Sequence, residues 1–221
     1  MTPAMAESPD TLRDAARVFS AYWSPRILIM ATSLAVAARL ALGEWSRWDL
    51  VVVLAILAGW PLLEWVIHVF ILHFRAVTLF GRIIDFPVPK SHRAHHRNPG
   101  DLALVFIPTH VFVYAIPLQL VLWLGLMPTT SLAITGITFY FAMALQYEWS
   151  HFLIHTRYRP RSRYYQRRWR NHRLHHFKNE HYWFGVSTLA GDWVLRTAPP
   201  FGTVPTSPTC RTLGQTATLG A

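Results

Sequence analysis

Residues 92–96 read His92-Arg93-Ala94-His95-His96, and residues 172–176 read His172-Arg173-Leu174-His175-His176. The same H-x2-H-H spacing therefore stands in two remote stretches of the chain. Upstream of each lies a wider pair: His68 and His73 before the first, His151 and His155 before the second. A Glu-Trp dipeptide leads each pair, Glu64-Trp65 and Glu148-Trp149. Ten of the 12 histidines fall into these four clusters, with His110 and His181 outside them. The order Glu-Trp, wide pair, H-x2-H-H occurs twice and reads as an approximate internal repeat.

On an α-helix, positions three and four apart lie on one face. The spacing predicts that His151 stacks on His155, and that His92 and His172 each stack on the two histidines that follow. His68 and His73 are five apart, which on a regular helix turns them roughly 140° from each other. They can meet at one point only if the helix ends, kinks or bulges there.

The clusters sit at the ends of apolar segments. Four such segments run from about Ile27 to Leu42, Leu50 to Leu63 (continuing less purely to His73), Leu102 to Met127 and Ser131 to Tyr147. A bilayer span needs about 20 mainly apolar residues. The third segment meets this length, the second does so with its histidine-bearing end, and the first carries Arg39 near an end from which it can snorkel. The fourth is short unless it runs on past Trp149. Pro61, Pro108 and Pro117 are expected to kink their helices.

Composition agrees with a membrane protein. The chain has 221 residues, 52% hydrophobic and only 14% charged, with mean hydropathy +0.22. Soluble domains carry about 25% charged residues, and the apolar content excludes disorder. One cysteine, Cys210, excludes a disulfide framework and a Cys-rich zinc finger. The net charge of +10 would suit nucleic acid, but the basic residues alternate with apolar runs, so a membrane and not nucleic acid is the expected partner. No cleaved signal peptide is read in residues 1–25.

Basic residues gather between segments two and three (Arg75, Arg82, Lys90, Arg93, Arg97) and after segment four, from Arg157 to Lys178. Excess Lys and Arg mark the cytoplasmic side. The expected fold is an all-α integral membrane protein: four transmembrane helices in two hairpins, with both termini and a histidine-rich helical cap in the cytosol. The whole of 1–221 reads as one domain, with a cytosolic segment over 1–25, helices and link over 26–156, and cap and tail over 157–221. From about Thr197 the tail is rich in Pro, Thr and Gly and reads as extended. The membrane is the inner one in a bacterium or the endoplasmic reticulum in a eukaryote.

All ten clustered histidines fall on the side predicted to be cytosolic. Imidazole is the commonest protein metal ligand and suits iron, zinc and copper. Ten ligands exceed the needs of one ion and suit two. The candidate ligands are His68, His73, His92, His95, His96, His151, His155, His172, His175 and His176. Glu64 and Glu148, each about one turn before a histidine, are candidate acceptors for imidazole N–H groups; pairing with a nearby arginine is their other reading. Asn179 and His181 complete the candidate supporting residues.

The four boxes together, with the following His176-Phe177-Lys178-Asn179 and Phe184-Gly185, resemble the fatty acid hydroxylase/sterol desaturase superfamily of membrane non-haem di-metal oxygenases. In spacing they are most similar to membrane fatty acid 2-hydroxylases. The resemblance spans about Glu64 to Gly185. It implies a four-helix membrane base, a cytosolic cap holding two iron ions (replaceable by zinc on purification) on the ten histidines, and O2-dependent hydroxylation of a C–H bond of a lipid, a fatty acyl chain or one linked to a sphingolipid. The short N-terminal segment is not expected to hold the fused cytochrome b5 domain of some members. The chain shows no dinucleotide fingerprint and no cysteine cluster, so electrons are expected from a separate ferredoxin or cytochrome b5-like donor with its reductase. The Arg157–Arg173 run reads first as a surface for anionic lipid headgroups and second as a dock for an acidic donor. Alternatives stay open: a desaturase or a sterol or carotenoid hydroxylase of the same chemistry and, from other classes, a membrane b-type cytochrome or a metal transporter.

Overall fold

The structure is a computed structural model and describes residues 8–214; the expectations for residues 1–7 and 215–221 fall outside them. Eight α-helices account for most of the described residues: α1 (Leu12–Phe19), α2 (Trp23–Leu42), α3 (Arg47–Val66), α4 (Pro87–Arg97), α5 (Val111–Leu126), α6 (Thr130–His155), α7 (Arg163–Phe177) and α8 (Ala190–Val194). The chain is not purely helical, as the apolar periodicity suggested. Strands β1 (Val77–Leu79) and β2 (Arg82–Ile84) form an antiparallel hairpin in the link between α3 and α4.

Helix α6 is the central element, packed against α2, α3 and α5. Its start is set by Thr129, whose hydroxyl accepts the backbone N–H of Leu132, an N-cap that satisfies an otherwise orphaned donor. It runs through Trp149 to His155, longer than the apolar run alone indicated, because tertiary burial of its last turns replaces the hydrophobic signal. Apolar side chains of α2, α5 and α6, among them Leu28, Phe112, Ile137 and Phe141, form one buried cluster. A second joins α1 to α6 through Ala15, Phe19, Phe106 and Phe152. Helix α1 lies in the N-terminal segment ahead of the first apolar run; Thr11 caps it, and burial of Ala15 and Phe19 holds it.

Trp23–Leu42 and the continuous helix Arg47–Leu72 are long and apolar enough to cross a membrane. The third apolar segment is corrected. Its helix is α5 alone, 16 residues or about 24 Å, and residues 102–110 form a 3-10 turn and loop that contains Pro108. Of Pro61, Pro108 and Pro117, Pro61 and Pro117 lie inside helices. Arg39 does not snorkel. It is buried, pairs with Asp49 at 2.8 Å, donates to Thr135 and stacks on Trp45. A buried charge needs such a partner, and this one ties the α2–α3 turn to α6.

Candidate metal centre

The end of α3 solves the five-residue spacing. Residues Ile67–Leu72 form a π-helix, in which hydrogen bonds run from i to i+5. The N–H of His73 accordingly donates to the carbonyl of His68 at 3.1 Å, and the two rings lie with centroids 5.0 Å apart. The second repeat needs no such device, because His151 and His155 are four apart on regular helix and their centroids are 4.9 Å apart.

The ten histidines gather into two sets of five: His68, His73, His92, His96 and His175, and His95, His151, His155, His172 and His176. Within each set one nitrogen per ring lies within 4.8 Å of the others. Each H-x2-H-H is divided. Its i and i+4 members join the wide pair of their own repeat, and its i+3 member crosses to the other set. At about 100° per residue, i+3 and i+4 point to opposite sides of the i position, so one helical turn can feed two centres. His92 and His172 do lie against the two histidines that follow, with ring centroids between 4.7 and 5.8 Å apart, yet only the i+4 ring shares their set. His110 is exposed ahead of α5, and His181 is exposed beside Glu180; neither joins a set.

Backbone carbonyls orient the rings. The Nδ1–H groups of His68, His96, His151 and His175 donate to the carbonyls of Phe184 (2.7 Å), Cys210 (2.9 Å), Val105 (2.9 Å) and Tyr182 (2.8 Å). A carbonyl can only accept, so the proton sits on Nδ1 and the Nε2 lone pair faces inward. Burial pushes the His96 imidazole down to about 3. Burial, and then the neighbouring imidazoles, drive His92, His95, His172 and His176 well below their ordinary value. These five rings are therefore neutral and offer uncharged nitrogen donors.

The Nε2 atoms of His68, His73, His95, His151, His155 and His175 are buried without a hydrogen-bond partner. Each such group costs about 1–3 kcal/mol unless something satisfies it. Nε2 of His92 faces Nε2 of His96 at 3.2 Å, and Nε2 of His172 faces that of His176 at 3.0 Å. Imidazole nitrogens about 2.0–2.1 Å from one ion stand about this far apart. The donor set, all neutral nitrogen, fits transition-metal ions.

The supporting carboxylates act one step further out than expected. Glu64 does not accept from an imidazole. It accepts from the backbone of Val186 and Ser187 and from the Ser187 hydroxyl, fixing the loop whose Phe184 carbonyl holds His68. Glu148 accepts from Ser24 and from Ile107 N–H, fixing the loop whose Val105 carbonyl holds His151. The repeat seen in the sequence thus extends to its supports: in both halves the carboxylate grips the backbone two residues beyond the carbonyl that orients a histidine. Neither carboxylate pairs with an arginine among the described residues. Gly185 allows that loop to close, since a Cβ there would lie 2.2 Å from the Thr188 carbonyl. Asn179 accepts from His181 N–H and donates to the Pro205 carbonyl, so it holds the tail and not a ring.

The tail is not merely extended. Ser207 N–H donates to the Lys178 carbonyl, Thr209 to the Glu180 carboxylate, and Cys210 supplies the acceptor for His96. Nothing in side-chain chemistry announced Val105, Tyr182 or Cys210, because each acts through its main chain. Phe184 stood in the sequence only as part of the Phe184-Gly185 resemblance.

A cavity of about 340 Å3 runs among α2, α3, α5 and α6, lined mainly by aliphatic and aromatic side chains, and it reaches His92 of one set and His151 of the other. Tyr140, Tyr147 and Gln119 are among its few polar groups.

Helix bundle, paired imidazole sets and apolar cavity define a helical protein with a candidate metal centre that adjoins an apolar cavity. The chain belongs to the fatty acid hydroxylase family, whose model matches residues 53–197. Among relatives, it is 30% identical over 142 residues to dihydroceramide fatty acyl 2-hydroxylase FAH2 of Arabidopsis thaliana, covering 63% of this chain and 57% of that protein. It is 27% identical over 151 residues to FAH1 of the same plant, covering 67% and 58%. The chain thus spans less than two thirds of these relatives. Its fold resembles that of full-length scs7p, of which only the hydroxylase domain is visible, with TM-score 0.65 and 21% identity over 86% of this chain and 68% of that one.

Proposed function

We propose that this protein is a membrane-embedded oxygenase that inserts one oxygen atom of O2 into a C–H bond of a lipid acyl chain. The observation that carries the reading is the apolar cavity ending at His92 and His151, one histidine from each five-imidazole set. Two iron ions held by the ten histidines would supply reductive activation of O2. The net reaction consumes the C–H substrate, O2, two electrons and two protons, and yields the alcohol and water. The chain's own residues bind the acyl chain, exclude water from the imidazoles and fix their tautomers.

The two-hairpin arrangement supports a bilayer setting in which α2, α3, α5 and α6 cross the membrane and α4, α7 and both termini lie in the cytosol. Arginine density after α6 against a single basic residue, Arg47, in the short turns favours that orientation. Electrons come from a separate donor, a ferredoxin or cytochrome b5-like protein with its reductase. The similarity to dihydroceramide fatty acyl 2-hydroxylases favours a sphingolipid-linked acyl chain as substrate.

The test is lipid mass spectrometry of cells that express the wild type or His175→Ala, supplied with iron and a donor. A product one oxygen heavier, present only with the wild type, is expected. Identical profiles overturn the reading.

A further inference from the structure

Among the described residues, the link between α3 and α4 contains one element that is largely exposed. In the β1–β2 hairpin Val77 pairs with Ile84, Thr78 with Ile83 and Leu79 with Arg82. Directly paired residues share a face, so one face carries Val77, Leu79 and Ile84 with Arg82 at its turn end, and the other Thr78 and Ile83. Five of the six strand residues are exposed, and only Ile84 is partly covered. An isolated two-stranded hairpin is marginal in water at best, and contiguous exposed apolar surface marks an interaction site.

The turn sharpens the point. Phe80 and Gly81 form the two-residue loop with φ of 49° and 75°, the left-handed pair that a tight hairpin requires. Asn, Asp or Gly ordinarily fills the first position, and for a bulky residue it is strained. Here Phe80 occupies it and stands 95% exposed. A strained turn that holds an aromatic ring out of the protein needs an apolar medium for the ring.

Position supplies that medium. Residues 73–76 join the hairpin to Leu72, the last residue of a helix long and apolar enough to span, and Phe70 and Ile71 of that helix are exposed apolar residues. Arg82 stands exposed at the foot of the turn, where an amphipathic cation meets headgroup phosphates. Ile71 and Leu72, before the hairpin, and Val88 and Ser91, after it, line the apolar cavity, so the segments on both sides of the hairpin border that cavity.

We propose that the Val77–Ile84 hairpin inserts its Phe80 tip into the cytosolic leaflet beside the mouth of the cavity, anchoring that mouth among the acyl chains it receives. The proposal rests on the reading that α3 spans a bilayer, and the test keeps the two apart. Three nitroxide-labelled proteins are made on a Cys210→Ser background, which keeps the carbonyl that His96 uses: Phe80→Cys, Leu54→Cys on the exposed face of α3, and Arg163→Cys on exposed α7. In phosphatidylcholine nanodiscs, collision with O2 is compared with collision with a water-soluble nickel chelate. Labels at 80 and 54 are expected to favour O2, and the label at 163 the chelate. A label at 80 that behaves like 163 while 54 stays in lipid overturns the hairpin proposal alone. A label at 54 that behaves like 163 overturns the spanning reading and the hairpin proposal with it.

Discussion

His73 and His68 are joined by a π-type hydrogen bond of 3.1 Å between their main chains, and that single widened turn brings two imidazoles five residues apart into one set. It makes the first repeat equivalent to the second, where His151 and His155 reach the same arrangement on ordinary α-helix. Deleting Phe70 should convert the first spacing to that of the second and keep most bound metal. Inserting an alanine after Val69 should turn the rings apart and lose it. Metal analysis of the purified proteins checks both.

The division of each H-x2-H-H makes an unequal prediction for neighbouring residues. His92→Ala and His95→Ala should each remove about one equivalent of metal, from different sets. His92→Ala combined with His175→Ala, both in one set, should lose little more than either alone, since contacting residues are not additive. His92→Ala with His95→Ala should empty both. Metal-to-protein ratios decide between these patterns.

Glu64 satisfies two backbone N–H groups and a hydroxyl in a buried loop. Glu64→Ala leaves these donors without a partner, at about 1–3 kcal/mol each, and frees the loop that orients His68. The expected result is a lower melting temperature and metal affinity reduced about 10–100-fold. Chelator competition and thermal denaturation measure the two effects. Glu148→Ala should act in the same way on the set that contains His151.

Cys210 acts through its carbonyl, so Cys210→Ser should keep metal content unchanged. Ending the chain after Thr203 removes the acceptor for His96 and should lower metal in the set that contains His96 more than in the other. Equal retention in the truncated and full-length proteins would count against a role for the tail.

Ala144 lines the apolar cavity. Ala144→Trp should fill it, cutting hydroxylated lipid in cells at least about tenfold if acyl-chain positioning carries most of the rate, with metal content unchanged. Loss of metal alongside product would show that the substitution disturbed the centre instead of the cavity.

Composition, apolar segment length and histidine spacing, by themselves, determined that this is a helical, membrane-suited chain with ten imidazoles in a twofold pattern. These properties are local, set by hydropathy and by the pitch of the helix. Only the tertiary structure decided which ring joins which set, because that depends on the angle at which α4 and α7 face each other and on a π turn whose hydrogen bonds leave no mark in side-chain chemistry. The carbonyls of Val105, Tyr182, Phe184 and Cys210 were settled there too, since every residue but proline carries the same backbone groups and their use is a matter of position. The hairpin at Phe80 and the shortened α5 belong with them: apolar residues look alike in sequence, whether they span a bilayer, line a cavity or stand exposed, until the packing around them is known.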